Sequence, residues 1–199
     1  MQLRRLLGLC SLLVSSSYAA SVTGQLWTVS DSVAQNAVLA NIPSTAPNVT
    51  FQANAPFNFT VAGTVDQWLL SGGATNITGS AADLSLPISP SILEFTGIVT
   101  VTTGETFTVT HDDGLTLQIG GMSVIDAPGP TGPFTTTQTY NGPSGTLPFT
   151  LVYGECCGGS AVLQIDLPFQ SATPEPAPYA VVAGGLGVIA LLRRRKLYQ

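Results

Sequence analysis

Between Ala20 and Leu192 the chain has no lysine and no arginine; Arg4, Arg5, Arg193, Arg194, Arg195 and Lys196 stand at the two ends. The stretch from Ala20 to Ala172 nevertheless carries ten carboxylates. Such a field repels phosphate backbones and excludes nucleic-acid binding. It also removes every Arg or Lys ion pair. A carboxylate held away from water there must rely on backbone N–H groups, His111, its own proton or a bound cation. Charged residues are only 9% of the 199, and His111 is the single histidine. What the chain does hold is 24 Thr, 21 Gly and 14 Pro within a 44% hydrophobic composition. A β-branched-rich, Gly/Pro-punctuated, charge-poor sequence excludes a helical bundle or coiled coil, and the apolar fraction excludes disorder. The length suits one domain able to bury a core.

Both ends read as targeting segments. In Met1–Ala19, Arg4 and Arg5 form a positive n-region, Leu6–Val14 an apolar h-region, and Ser17-Tyr18-Ala19 a small-residue cleavage site. The expectation is a secretory signal peptide cut after Ala19; its apolar run is too short to span a bilayer. Cys10 lies too early, and follows too bulky a residue, for a lipoprotein signal.

The other end runs Pro174-Glu175-Pro176, then an apolar stretch from Tyr179 to Leu192, then Arg193-Arg194-Arg195-Lys196. The apolar stretch is shorter than the roughly 20 residues of a relaxed span, but snorkelling arginines extend its reach and fix it on the cytoplasmic side. These three parts in order resemble the PEP-CTERM sorting signal of Gram-negative bacteria. The resemblance covers residues 173–199 and implies recognition by a membrane exosortase, cleavage near Pro174-Glu175-Pro176, and delivery to the cell surface or extracellular matrix. Ala177-Pro178-Tyr179 departs from the commoner small polar residues after the motif.

Residues 20–172 alternate with period two almost throughout. Expected strands are Gln25–Ser30, Val49–Ala53, Phe57–Ala62, Ile92–Thr102, Thr106–His111, Leu115–Ile119, Ser123–Asp126, Phe134–Tyr140, Leu147–Tyr153 and Ala161–Leu167, with one helical turn at Val65–Leu70. Many short strands separated by Gly-Gly, Asn-Gly and Pro-Ser-Gly point to an all-β antiparallel sandwich. The N-x-T sequons at Asn48, Asn58 and Asn76 are read as chance in so threonine-rich a chain.

The densest polar feature is Thr110-His111-Asp112-Asp113-Gly114 between two strands. It leads to Gly120-Gly121 and Val124-Ile125-Asp126, and later to Tyr153-Gly154-Glu155 before Gly159–Leu163. This order of elements, over Glu94–Pro168, is similar to PA14-like β-sandwich domains. The resemblance implies a PA14-like or jelly-roll sandwich in which Asp112 and Asp113 hold Ca²⁺, and the cation holds sugar hydroxyls. Adjacent carboxylates with no Lys or Arg to relieve their repulsion agree with a cation. The same two residues also suit a structural role, capping backbone N–H groups in a tight turn closed by Gly114. Both readings stand on the sequence.

His111 is the one side chain whose ordinary pKa lies near neutrality. A hydrolase would pair it with an aspartate and a serine, but neighbouring strand residues aim at opposite faces, and no Gly-x-Ser-x-Gly elbow or histidine pair is present. The chain is therefore read as no enzyme. Cys156 and Cys157 are the only thiols left once the signal peptide is removed. Export to an oxidising compartment allows a vicinal disulfide between them, eased by Gly158 and Gly159; two reduced thiols in a loop are the other reading.

The expectation is thus an exported, non-catalytic surface or matrix protein. Its parts are a signal peptide (1–19), a β-sandwich (20–172) and a sorting signal (173–199). Its partners are the secretion machinery, an exosortase, the membrane and a polysaccharide bound with calcium. A purely structural envelope component is the alternative, and a small secreted hydrolase is a more distant one.

Overall fold

The computed structural model describes residues 21–170. The expected signal peptide and PEP-CTERM tail, with Pro174, Glu175, Pro176, Arg193, Arg194 and Arg195, lie outside the described residues. In chain order the elements are β1 (Ser21–Thr28), α1 (Asp31–Ala34), β2 (Val49–Asn54), β3 (Phe57–Phe59), α2 (Val65–Ser71), β4 (Thr75–Gly79) and α3 (Ala81–Ser85). There follow β5 (Ser91–Val101), β6 (Thr106–His111), β7 (Gly114–Ile119), β8 (Met122–Ala127), β9 (Phe134–Thr139), β10 (Gly145–Glu155), β11 (Leu163–Ile165) and β12 (Phe169–Gln170). A short 3-10 turn occupies Leu39–Asn41.

Two antiparallel sheets form a sandwich. The larger has eight strands in the order β4-β2-β1-β5-β10-β7-β8, with β12 pairing on β5 beyond the end of β1. The smaller has four, in the order β3-β11-β6-β9. Period two decides which side chains meet between them. From β5 come Leu93, Phe95, Val99 and Val101, and from β10 Phe149, Leu151 and Tyr153; the facing sheet contributes Phe57, Phe59, Phe107, Val109, Leu163 and Ile165, all in one buried cluster. The Phe57 ring lies 4.9 Å from that of Phe95 across the gap. Each such side chain contributes about 1.5–3 kcal/mol on burial.

Helix α2 closes one edge of this core. Thr64 caps it, its hydroxyl accepting from Gln67 N–H while the Gln67 side chain accepts from Thr64 N–H. Val65, Trp68 and Leu69 make one buried face at helical spacing. Trp68 is stacked between Phe59, at 4.2 Å, and Tyr153, at 5.9 Å, and its indole N–H donates to Ala161 O.

The outer face of the large sheet carries a second, smaller cluster of Trp27, Ala37, Ile92 and Val152. The chain at Ala34–Ala37 lies over it, against two glycines of the sheet. Gly114 of β7 and Gly154 of β10 are direct partners in the ladder. A Cβ on Gly154 would lie 2.2 Å from Ala34 O, and one on Gly114 2.1 Å from Pro128 O. Only glycine admits backbone this close.

Several expected boundaries shift. The first strand starts at Ser21 and stops at Thr28, because Ser30 is already the N-cap of α1. Phe57–Ala62 contracts to Phe57–Phe59, and Ala161–Leu167 to Leu163–Ile165, where partner strands end. Leu147–Tyr153 lengthens to Gly145–Glu155, following β5 residue for residue. The single turn at Val65–Leu70 is the longer α2. β4, α1 and α3 were not expected at all: β4 is an edge strand with only Ile77 partly buried, so it has no alternation to read. Among the described residues no helix is long and apolar enough to cross a membrane.

Candidate functional site

The Asp112-Asp113-Gly114 turn is the crossing from the small sheet to the large one, joining β6 to β7 at one end of the sandwich. The loops after β8 and β10 close around it. Asp112 N–H donates to Val162 O at 2.9 Å, and Asp113 N–H to Thr131 O at 2.9 Å. Asp113 takes a left-handed conformation, φ 57°, which Asp tolerates better than most residues. Its Oδ2 accepts from the Cys156 N–H at 2.7 Å, a charge-assisted bond between residues 43 apart in sequence. The capping role expected of this turn is therefore present, directed at a distant loop rather than at the turn itself.

Asp112 and Asp113 also line an open cleft of about 430 Å³. Residues 130–133 form one wall and residues 157–160 the other. Each aspartate is 5% exposed. Behind them Glu155, fully buried, accepts a hydrogen bond from the Tyr153 hydroxyl at 2.6 Å. Burial, with smaller contributions from the Asp113 and Asp112 charges, pushes the Glu155 carboxyl up to about 8, against the downward pull of the Tyr153 bond. Burial and the Asp113 charge push Asp112 up as well. Burial, then the Glu155 charge and hydrogen bond, drives the Tyr153 phenol well above its usual range. Three carboxyls with no Lys or Arg thus share one end of the sandwich, and burial favours the protonated form of Glu155 and Asp112.

His111 does not enter this cleft. It is buried on the inner face of β6, its ring packed edge-on against Phe134 at 4.7 Å. Its Nδ1 lies 2.8 Å from Asp113 O, so Nδ1–H is the donor. Burial lowers its pKa against the pull of the Asp113 carbonyl and charge. His111 is a core residue at the very end of β6, and its side-chain hydrogen bond goes to backbone rather than to a serine or a carboxylate.

Cys156 is buried and Cys157 exposed, and both are free thiols. Their sulfurs and an Asp113 carboxylate oxygen all lie within 4.8 Å of one another. Burial, the Cys157 thiol and the Asp113 charge hold the Cys156 thiol far above its ordinary range. Gln35 Nε2 donates to Cys157 Sγ at 3.5 Å.

The side chains present supply only part of a calcium shell, the rest of which would be backbone carbonyls and water. Ca²⁺ takes 6–8 oxygen ligands; Asp112 and Asp113 carry four between them, and Asp113 Oδ2 is already engaged by Cys156 N–H. Among the described residues the one cluster of three potential ligands brings sulfurs, which calcium does not favour. Sequence reading located Asp112, Asp113, Cys156 and Cys157 but not their meeting; the Tyr153–Glu155 pair was legible only as part of a family pattern.

A second cleft, of about 470 Å³, lies on the outer face of the small sheet, lined by Asn58, Thr108, Thr110, Gln164 and Asp166 among others. Its polar groups largely satisfy one another: Gln164 Nε2 donates to Asn58 Oδ1 at 2.6 Å, and Asp166 Oδ1 accepts from Thr108 N–H at 2.6 Å.

No protein-family model matches the sequence, and no curated protein matches it. Solved structures do match in fold. A PA14 sugar-binding domain from an RTX adhesin superposes with a TM-score of 0.58 at 22% identity, covering 76% of this chain and 91% of that one. The PA14 domain of the MpAFP antifreeze protein gives 0.58 at 21% identity, covering 74% and 80%. At this level of identity the likeness is one of architecture: the described body is a mostly antiparallel β-sandwich with the fold of PA14 domains.

Proposed function

We propose that the chain is an exported, non-catalytic carbohydrate-binding module, delivered to the cell surface or matrix through its PEP-CTERM tail, with the Asp112–Asp113 cleft as the sugar site. One observation carries the reading: paired, nearly buried carboxylates form the floor of an open cleft on a fold similar to that of a sugar-binding adhesin domain. Carboxylate oxygens accept hydrogen bonds from vicinal hydroxyls, and charged acceptors give stronger bonds than neutral ones. Asp112 is the better placed of the two, because Asp113 Oδ2 is occupied by Cys156 N–H. Glycines 132, 158 and 159 in the cleft walls let a ring approach the backbone. Signal peptide, exosortase recognition and membrane passage rest on the terminal sequences alone.

The hydrolase reading built on His111 fails on its position. A hydrolase needs a base within hydrogen-bond reach of a nucleophile or of a positioned water, whereas His111 is enclosed in the core and bonded to a backbone carbonyl. A glycan array probed with the purified chain tests the proposal. Retention of a defined group of glycans, lost in Asp112→Asn and unchanged by a calcium chelator, is the expected result. An array without retention, or retention indifferent to Asp112→Asn, overturns it.

A further inference from the structure

The geometry points to a thiophilic divalent-cation site, distinct in chemistry from a calcium site, built from Asp113, Cys156 and Cys157. The three ligand atoms lie within 4.8 Å of one another. A tetrahedral zinc ion, with bonds of about 2.3 Å to sulfur and 2.0–2.2 Å to oxygen, sets its ligand atoms roughly 3.5–3.8 Å apart. The observed limit of 4.8 Å exceeds that spacing by about 1.0–1.3 Å at most, a distance that side-chain rotation covers.

The donor set decides which cation. Two sulfurs and one oxygen select zinc, or another thiophilic ion, over calcium and magnesium, which prefer oxygen alone. Position decides the coordination. Cys156 is buried beneath the turn, while Asp113 and Cys157 line the cleft. The first three positions are thus filled from below and from the walls. The fourth opens to the cleft, where water completes the tetrahedron.

Neighbouring groups hold this arrangement without competing for it. The Cys156 N–H fixes Asp113 Oδ2, leaving Oδ1 as the second carboxylate oxygen, and Gln35 Nε2 reaches Cys157 Sγ at 3.5 Å. Donors to the sulfur and the carboxylate are what a ligand's outer partners supply. Cys157 sits in the left-handed region at φ 66°, and its sulfur lies within 4.8 Å of that of Cys156. No lysine or arginine in residues 21–170 competes with a metal for the negative charge. On binding, each thiol gives up its proton to solvent, and the cation takes the two thiolates and the carboxylate with no change of oxidation state.

Cobalt(II) is the probe, because thiolate ligation gives an intense charge-transfer absorption and tetrahedral geometry gives strong visible bands. The purified chain carries Cys10→Ser, so that only Cys156 and Cys157 can bind; it is reduced, its two free thiols counted, and then titrated with Co²⁺. The expected result is saturation at one equivalent with a charge-transfer band. Excess Zn²⁺ bleaches it and millimolar Ca²⁺ leaves it intact. Cys157→Ser, an exposed and structurally mild change, abolishes the band. Asp113→Asn keeps the turn and the Cys156 cap and weakens binding at least about tenfold, since losing a ligand costs no less than losing an outer partner. Asp112→Asn, which removes sugar binding, leaves the cobalt spectrum unchanged, so the two proposals fail separately. A thiol-free spectrum with both thiols reduced, a band that survives Cys157→Ser, or displacement by calcium overturns the site.

Discussion

Replacing Asp113 separates the parts of its role quantitatively. Asp113→Ala removes a 2.7 Å charge-assisted bond to the N–H of the buried Cys156, which has no other acceptor in place. Losing a bond to a charged partner costs about 1.5–3 kcal/mol, most of it from the stranded N–H. Alanine must also adopt the φ of 57° that Asp113 occupies, adding about 1 kcal/mol because its Cβ meets the following carbonyl. The sum is about 2.5–4 kcal/mol, a large share of the stability of a domain this size. Asp113→Asn retains an acceptor oxygen, tolerates the left-handed conformation and removes one negative charge from beside Asp112 and Glu155. It should change stability by less than about 1 kcal/mol. Urea denaturation followed by tryptophan emission is the assay, since Trp68 is stacked between Phe59 and Tyr153 and loses both on unfolding. Equal slopes with shifted midpoints would assign the change to stability rather than to compactness. An alanine variant within about 0.5 kcal/mol of wild type, or an asparagine variant as damaged as alanine, refutes the reasoning.

Other consequences are as concrete. In chelator-treated protein the stability contributed by protonated Glu155, whose carboxyl is raised to about 8, should be complete below the usual carboxylate range. It should be lost as pH rises through that value, by roughly 3–5 kcal/mol in all. Glu155→Gln, which keeps an acceptor for the Tyr153 hydroxyl, should flatten that pH profile; a profile unchanged by the substitution would show that another group carries it. Gly154→Ala places a Cβ 2.2 Å from Ala34 O. The resulting displacement of Ala34–Ala37 from the sheet should cost about 1–3 kcal/mol in a thermal melt, whereas Val33→Ala, at a half-exposed position of the same helix, should cost less than about 1 kcal/mol. Replacing Pro174-Glu175-Pro176 by alanines in a host carrying an exosortase should leave the precursor unprocessed; an unchanged mature mass contradicts the sorting assignment.

The sandwich was legible where one face is wet and the other dry. Thr106–His111 reads Thr-Phe-Thr-Val-Thr-His and becomes a strand with Phe107, Val109 and His111 inward. The paired Gly114 and Gly154 could not be read, because their function is to admit a loop from far along the chain. The Thr75–Gly79 strand has three β-branched residues but no apolar alternation, and the edge of β2 offers it hydrogen bonds. At the site, Asp112-Asp113-Gly114 announced a turn through residue types that favour one. Its bond to the Cys156 N–H depends on how β7 and β10 pair, which no local pattern encodes. Burial of His111 on the inner face of β6 follows from its strand parity with Phe107 and Val109.

The central claim, that sugar is held in the Asp112–Asp113 cleft, is tested most directly by amide chemical shifts of the ¹⁵N-labelled chain titrated with a glycan selected on the array. The account predicts saturable shifts confined to residues 112–114, 131–132 and 157–160. Shifts centred instead on Asn58, Thr108, Thr110 and Gln164, or none at saturating glycan, would contradict it.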